Sequence, residues 1–297
     1  MVTGATNGIG EATARRLAGA GMSVTLVGRS ASRLAAARER IAAAVPRAEL
    51  RLERADLAEL DEVRDLVGRL RAGPPPDVVV SNAAVVAPLD RRTSDGLPRM
   101  LTTNYLAPYL LLRELAAVAD RSRLVLVASD PALLAPEPVD LDDLTFARPE
   151  RLGEPAELRP YHAYLRIKNM NLMFAHEFAR RLASSATTVN ACHPGMIAGT
   201  GLGGEAPGIG PFIMQAYQDG TLPPPSPQPS AGQDEELPGP DVGADMPVWL
   251  ATSPAVDGAT GGFYADRSRV ELEPHTTDPQ RCQQLWERSA DLVGLPA

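Results

Sequence analysis

The sequence predicts an α/β chain built on a doubly wound parallel sheet. Three observations lead there. Short Val/Leu-rich runs recur along the chain, Ala/Leu/Arg-rich segments of helical period separate them, and a glycine cluster, "TGATNGIG" (3–10), opens directly into the first such segment. Short apolar runs alternating with helices read as parallel strands buried on both faces.

In chain order, strands are expected near 22–28 ("MSVTLVG"), 49–54, 77–81 ("DVVVS"), 123–129 ("RLVLVAS") and 186–191. Helices are expected near 8–20, 31–45, 58–71, 96–119, 160–183, 242–252 and 278–293. A doubly wound sheet places its central strand before the glycine loop, yet only Met1 and Val2 precede Thr3. That strand is therefore either stunted or begins upstream. Residues 130–160, rich in Pro, Asp and Glu, read as a long excursion from the sheet. Residues 221–241, "TLPPPSPQPSAGQDEELPGPD", have too little apolar content to order themselves and are expected to form a mobile loop. Patterned sequence resumes after it, so a single domain over 1–297 is expected, with 130–160 and 196–241 as extended substrate loops.

Bulk properties narrow the class. The 297 residues carry a net charge of -8, which argues against non-specific nucleic-acid binding and for a cytoplasmic protein. Two cysteines and four scattered histidines make neither a disulfide framework nor a metal-ligand spacing, so no metal is expected. No apolar run approaches the ~18 residues of a membrane span.

Glycines 4, 8 and 10 permit a tight turn and let backbone amides approach a pyrophosphate at the start of the following helix. Gly4, Thr6, Asn7, Gly8, Ile9 and Gly10 are thus candidate cofactor contacts. Nineteen residues after Gly10, "VTLVGRS" ends the second strand with Arg29, where an NAD-preferring chain usually carries an acidic residue. An arginine there suits a 2′-phosphate, which points to NADP(H), with Ser30 as a helper.

The chain holds 28 arginines and one lysine, Lys168, within "YHAYLRIKNMN" (161–171). Tyr164 lies four residues earlier, so the two side chains share a helix face. A phenol of pKa near ~10 is a poor proton donor or acceptor at neutral pH. A neighbouring ammonium is expected to lower it toward the working range. Lysine offers a compact charge that arginine does not reproduce. Tyr161 is a rival tyrosine without a lysine at helical spacing.

With these motifs in hand the chain resembles a short-chain dehydrogenase/reductase of the Rossmann fold, over nearly its whole length. "SNAAV" (81–85) is similar to the family's Asn-Asn-Ala-Gly element, which implies cofactor contacts from Asn82, Ala83 and Ala84. "ADL" (55–57) resembles the segment near the adenine, implicating Asp56 and Leu57. "LVASD" places Ser129 at the family's catalytic serine, and "TTNYLAPYLLL" places Asn104 at its helix asparagine. "HPGMIAGTGL" resembles the turn running past the nicotinamide, implicating Pro194, Gly195, Ile197 and Thr200. "SDGLPRMLTTNYLAPYLLL", the acidic "DLDDLTF" and the C-terminal "LWERSADLVGL" resemble the retinol-dehydrogenase-like and protochlorophyllide-reductase-like branches. Departures are Ser81, Ala84 and Ile167, together with a 35-residue gap from Ser129 to Tyr164.

The resemblance implies that Tyr164 is the general acid or base, and that Lys168 depresses its pKa and holds the nicotinamide ribose. Ser129 would bind the substrate oxygen, and Asn104 would anchor a water relaying protons through Lys168. A substrate lining drawn from Leu133, Leu134, Phe146, Met196, Ile197, Ile209, Phe212, Ile213, Met214 and Tyr217 favours a bulky lipophilic or aromatic small molecule. Reaction at a carbonyl or alcohol is the leading expectation. Reduction of a conjugated C=C, or a non-catalytic nucleotide-sensing or scaffold role, are the alternatives. The resemblance also implies a homodimer or homotetramer paired through helices 96–119 and 160–183.

Overall fold

The computed structural model describes residues 1–130, 133, 137–206, 208–223 and 237–297. Among these residues eight strands form one sheet: β1 (Val2–Thr3), β2 (Val24–Gly28), β3 (Leu50–Arg54), β4 (Val78–Ser81), β5 (Arg123–Val127), β6 (Thr188–Cys192), β7 (Phe263–Ala265) and β8 (Ser268–Val270). Their order is β3-β2-β1-β4-β5-β6-β7-β8, parallel throughout except for β8, which returns antiparallel to β7. The chain reverses its winding between β1 and β4, the crevice where ligands bind in such sheets.

Helices cover both faces: α1 (Gly8–Gly19), α2 (Ala31–Ala44), α3 (Leu60–Arg71), α4 (Arg99–Leu101), α5 (Ala107–Ala116), α6 (Arg159–Arg181), α7 (Ile209–Gln218), α8 (Pro240–Gly243), α9 (Asp245–Thr252), α10 (Pro274–Thr277) and α11 (Pro279–Val293). A π-helical turn, Thr102–Leu106, joins α4 to α5. Strand alternation sorts the core. Leu124 and Leu126 of β5 pack with the cluster that includes α3, α5, α6 and α11, whereas Val125 and Val127 pack on the other face with α1, α2 and α9.

A first strand of two residues is present. Val2 pairs with Leu26 on one side and Val80 on the other, so two residues suffice to seat the glycine loop. Four elements escaped the sequence reading, among them the four-residue helix α10 just before Pro279. The strands β7 and β8 are three residues each, too short to show a period, and α7 lies in a Gly/Pro-rich stretch.

Among the described residues of the 130–160 excursion, 137–160 fold back with three 3₁₀ turns, and Val139, Leu141, Leu144, Leu152 and Leu158 are buried in the main core. Phe146 joins them there, away from the expected substrate lining. Leu134 and residues 224–236 of the Pro-rich loop lie outside the described residues. Helix α5 packs against the C-terminal helix α11: Tyr109 Oη donates to the Trp286 carbonyl at 2.8 Å, and Arg113 lies 4.2 Å from the Trp286 ring. Among the described residues, no helix is long and apolar enough to cross a membrane.

Candidate active site

A cleft of about 420 Å³ runs along the C-terminal ends of the strands. At one end the loop after β1 carries Gly4 and Gly8 at φ +66° and +57°, backbone that other residues rarely adopt. A Cβ at Gly10 would lie 2.3 Å from the Gly4 carbonyl oxygen and 2.4 Å from Asn82 Nδ2. Only glycine lets the first turn of α1 settle onto the loop. Asn7, at the head of α1, makes no side-chain cap, so the helix end opens on the cleft uncapped. Asn82 fixes the opposing wall: its Nδ2 donates to the Thr3 carbonyl at 2.9 Å, and its N–H donates to Thr3 Oγ1 at 3.0 Å. These features fit the phosphates of a dinucleotide.

Gly4, Thr6, Asn7, Gly8, Ile9, Arg29, Asp56, Leu57, Asn82, Ala83, Ala84, Ser129, Tyr164, Lys168, Pro194, Gly195, Ile197 and Thr200 all line this one cleft. Gly10 lies beneath it as packing. Two expected residues sit elsewhere. Ser30 caps α2, accepting from Arg33 N–H at 3.4 Å, because a short hydroxyl at a helix start is captured by the free amides; Arg33 lines the cleft instead. Asn104 is buried behind the wall. Its Oδ1 accepts from Val85 N–H at 2.9 Å and its Nδ2 donates to the Val85 carbonyl at 2.8 Å. Its own carbonyl accepts from Asn171 Nδ2 at 3.0 Å, so its polar groups brace the segment after β4 and do not enter the cleft.

At the other end, α6 presents Tyr161, Tyr164 and Lys168. Lys168 is 3% exposed and donates to the Val127 carbonyl at 2.6 Å, while its Nζ lies 5.6 Å from the Tyr164 ring centroid. Burial lowers the amine to about 8. Burial pushes the Tyr164 phenol up, contrary to the expected lowering by lysine. The amine is engaged by a β5 carbonyl, and the phenol sits among apolar groups that disfavour phenolate. Tyr161 stacks on Tyr164 with ring centroids 5.9 Å apart, and its hydroxyl lies 3.5 Å from that of Tyr217.

Leu133, Met196, Ile213 and Tyr217 line this end as expected, whereas Ile209 is buried beside it, and Phe212 and Met214 are 49% and 48% exposed. Helix α7 turns Ile213 and Tyr217 inward and its neighbours outward, which follows from its 3.6-residue period. The sequence reading also missed Arg99 and Asp130 as lining residues, while His193 beside Pro194, read as structural with a site-lining role open, lines the cleft. A protonated phenol, a hydroxyl and an ammonium around one space can donate a proton to an oxygen and stabilise the charge left on it.

The short chain dehydrogenase family model matches residues 1–136. A candidate daunorubicin C-13 ketoreductase of Streptomyces sp. (strain C5) is 34% identical over 300 residues, covering 99% of this chain and 92% of the relative. Retinol dehydrogenase 13 of Mus musculus is 28% identical over 312 residues, covering 99% of this chain and 83% of the relative. Among solved structures, an uncharacterised protein from Mycobacterium paratuberculosis superposes with a TM-score of 0.71 at 25% identity, covering 99% of this chain and 93% of that one. The chain therefore belongs to the short-chain dehydrogenase/reductase family of oxidoreductases.

Proposed function

We propose that the chain is one NADP-binding domain that reduces the ketone of a bulky lipophilic or aromatic substrate at the expense of NADPH. The observation that carries this reading is the position of Tyr164, Lys168 and Ser129 at one end of the cleft that holds Arg29 and Arg33 at the other. NADPH supplies the hydride. Arg29 and Arg33 bind the 2′-phosphate, and the loop Gly4–Gly10 cradles the pyrophosphate.

The chain's own groups handle the proton. Burial holds the Tyr164 phenol protonated at neutral pH, which suits a donor to the nascent alkoxide more than a base. Ser129 donates to the same oxygen. Lys168, still largely charged at neutral pH with a pKa of about 8, sets a positive potential beside it and bonds the nicotinamide ribose. Asn104 acts as a positioning residue through Val85. Tyr161, Tyr217, Leu133 and Ile213 make an apolar and aromatic enclosure for the rest of the substrate. The name of the Streptomyces relative, a daunorubicin C-13 ketoreductase, supports the choice of a ketone.

Cofactor oxidation would be followed with NADPH and with NADH against a panel of aryl and polycyclic ketones and enones. NADPH-dependent ketone turnover that falls by about 10²–10⁴ in Tyr164→Phe is expected. Preference for NADH, or turnover indifferent to the substitution, would overturn the reading.

A further inference from the structure

Among the described residues, His193, beside Tyr164 and Ser129 in the cleft, has no hydrogen-bond partner for its ring. Alternation along β6 sends Ala191 to the α6 face and Cys192 to the opposite one, so the next residue returns to the α6 face. The backbone there is clamped on both sides. His193 N–H donates to the Tyr264 carbonyl at 2.9 Å, and Ala128 N–H donates to the Cys192 carbonyl at 2.8 Å. The ring is thus held in place by its strand.

His193 is only 8% exposed, and among the described residues neither ring nitrogen has a hydrogen-bond partner. A neutral imidazole always carries one donor and one acceptor. Leaving such groups buried and unpaired is costly, and buried polar groups are paired in the large majority of cases. The nearest charge is Asp130, itself buried, whose Oδ2 lies 3.8 Å from Nε2, beyond hydrogen-bond reach. Both residues line the cleft next to Ser129 and Tyr164.

We propose that His193, backed by Asp130, is a substrate-recognition residue that hydrogen-bonds a hydroxyl group carried next to the reacting carbonyl. A hydroxyl both donates and accepts, which complements a neutral ring. A carboxylate or phosphate at this position would face the Asp130 charge. The strand neighbour of His193 precedes Ser129, and adjacent strands lie about 4.8 Å apart. A group reaching His193 is therefore within a bond or two of a carbonyl held at Ser129 and Tyr164. The substrate class that follows is the α-hydroxy ketone, with a 1,2-diol as product. This inference rests on the reading of Ser129 and Tyr164 as the oxygen-binding pair.

The test is binding, so that it survives failure of the catalytic reading. The protein would be titrated calorimetrically, alone and with NADP⁺, with 1-phenyl-1,2-ethanediol and with 1-phenylethanol. The diol is expected to bind about tenfold tighter, the worth of one hydrogen bond to a buried partner. The ratio should fall to about one in His193→Phe and recover in part in His193→Gln, which retains a donor and an acceptor. In the wild type, the His193 ring ¹⁵N resonances, assigned among four histidines, should move with the diol and stay put with the mono-alcohol. Equal binding of the two alcohols, failure of both to bind, a ratio unchanged in His193→Phe, or tighter binding of 2-amino-1-phenylethanol than of the diol would each overturn the proposal. A diol preference without any ketone turnover would sink the catalytic reading and leave this one standing. Ketone turnover with no such preference would do the reverse.

Discussion

Arg29 Nη1 lies 2.5 Å from Glu205 Oε1, tying the end of β2 to the segment after β6 across 176 residues of chain. The same carboxylate accepts from Arg99 Nε at 2.8 Å, and Arg99 in turn reaches Asp56 at 3.5 Å. Burial works to raise Glu205, but hydrogen bonds from Arg99 and then Arg29 outweigh it and hold the carboxyl below its usual range. The arginine assigned to the 2′-phosphate is thus already paired with a carboxylate of this chain.

Glu205 should therefore compete with that phosphate. Glu205→Gln removes the competing charge, and a partly exposed pair of this kind is worth up to about 1 kcal/mol, or roughly fivefold in affinity. NADPH is expected to bind about three- to fivefold tighter to the variant, with NADH unchanged. Fluorescence titration with both nucleotides reads the difference, and an equal gain for NADH would show that Glu205 acts on the cleft in general.

Ser30 distinguishes a helix cap from a cofactor contact. Its hydroxyl accepts from Arg33 N–H at the start of α2. Ser30→Ala should cost about 0.5–1 kcal/mol of stability through the lost cap and leave the NADPH dissociation constant within twofold. A large loss of affinity with unchanged stability would restore the sequence-based assignment.

Asn104→Ala leaves the N–H and the carbonyl of Val85 without partners inside the wall of the cleft. The expected loss is about 2–4 kcal/mol in urea denaturation, together with weaker nucleotide binding as the 82–85 segment loosens. If turnover collapsed while stability and nucleotide affinity held, Asn104 would be acting on protons directly.

Lys168 predicts a pH signature. Its amine falls from an ordinary 10.5 to about 8 on folding because it is buried. Between those values the unfolded chain binds a proton that the native state does not, so wild-type stability gains with rising pH across that window. Below about pH 8 the amine is charged in both states and the burial cost is fully present. Lys168→Met carries no such cost, so its stability relative to wild type should be greatest below pH 8 and decline toward pH 10.5. Denaturation at intervals from pH 7 to 10 checks this, and a constant difference would refute it. The variant should also lose ketone reduction.

Local pattern carried a large part of the fold and of the site. Alternating Val/Leu strands, helices of regular period, the loop "TGATNGIG" and the pair Tyr164 and Lys168 are all set by neighbours within about one helical turn or one strand. That is why the sheet, the glycine loop at one end of the cleft and the neighbouring phenol and amine at the other could be read from the chain alone.

What the tertiary structure decided has no local period. The three-residue strands β7 and β8 exist only because β6 offers them an edge. Phe146 packs in the core instead of the cleft, Asn104 bonds a peptide 19 positions away, and Glu205 reaches back to Arg29. His193 owes its unpaired burial to strands on both sides, and Tyr164 its raised phenol to the apolar groups folded around it. Such pairings depend on distance through space, and desolvation depends on everything packed nearby; neither quantity is written in the spacing of residues along a chain.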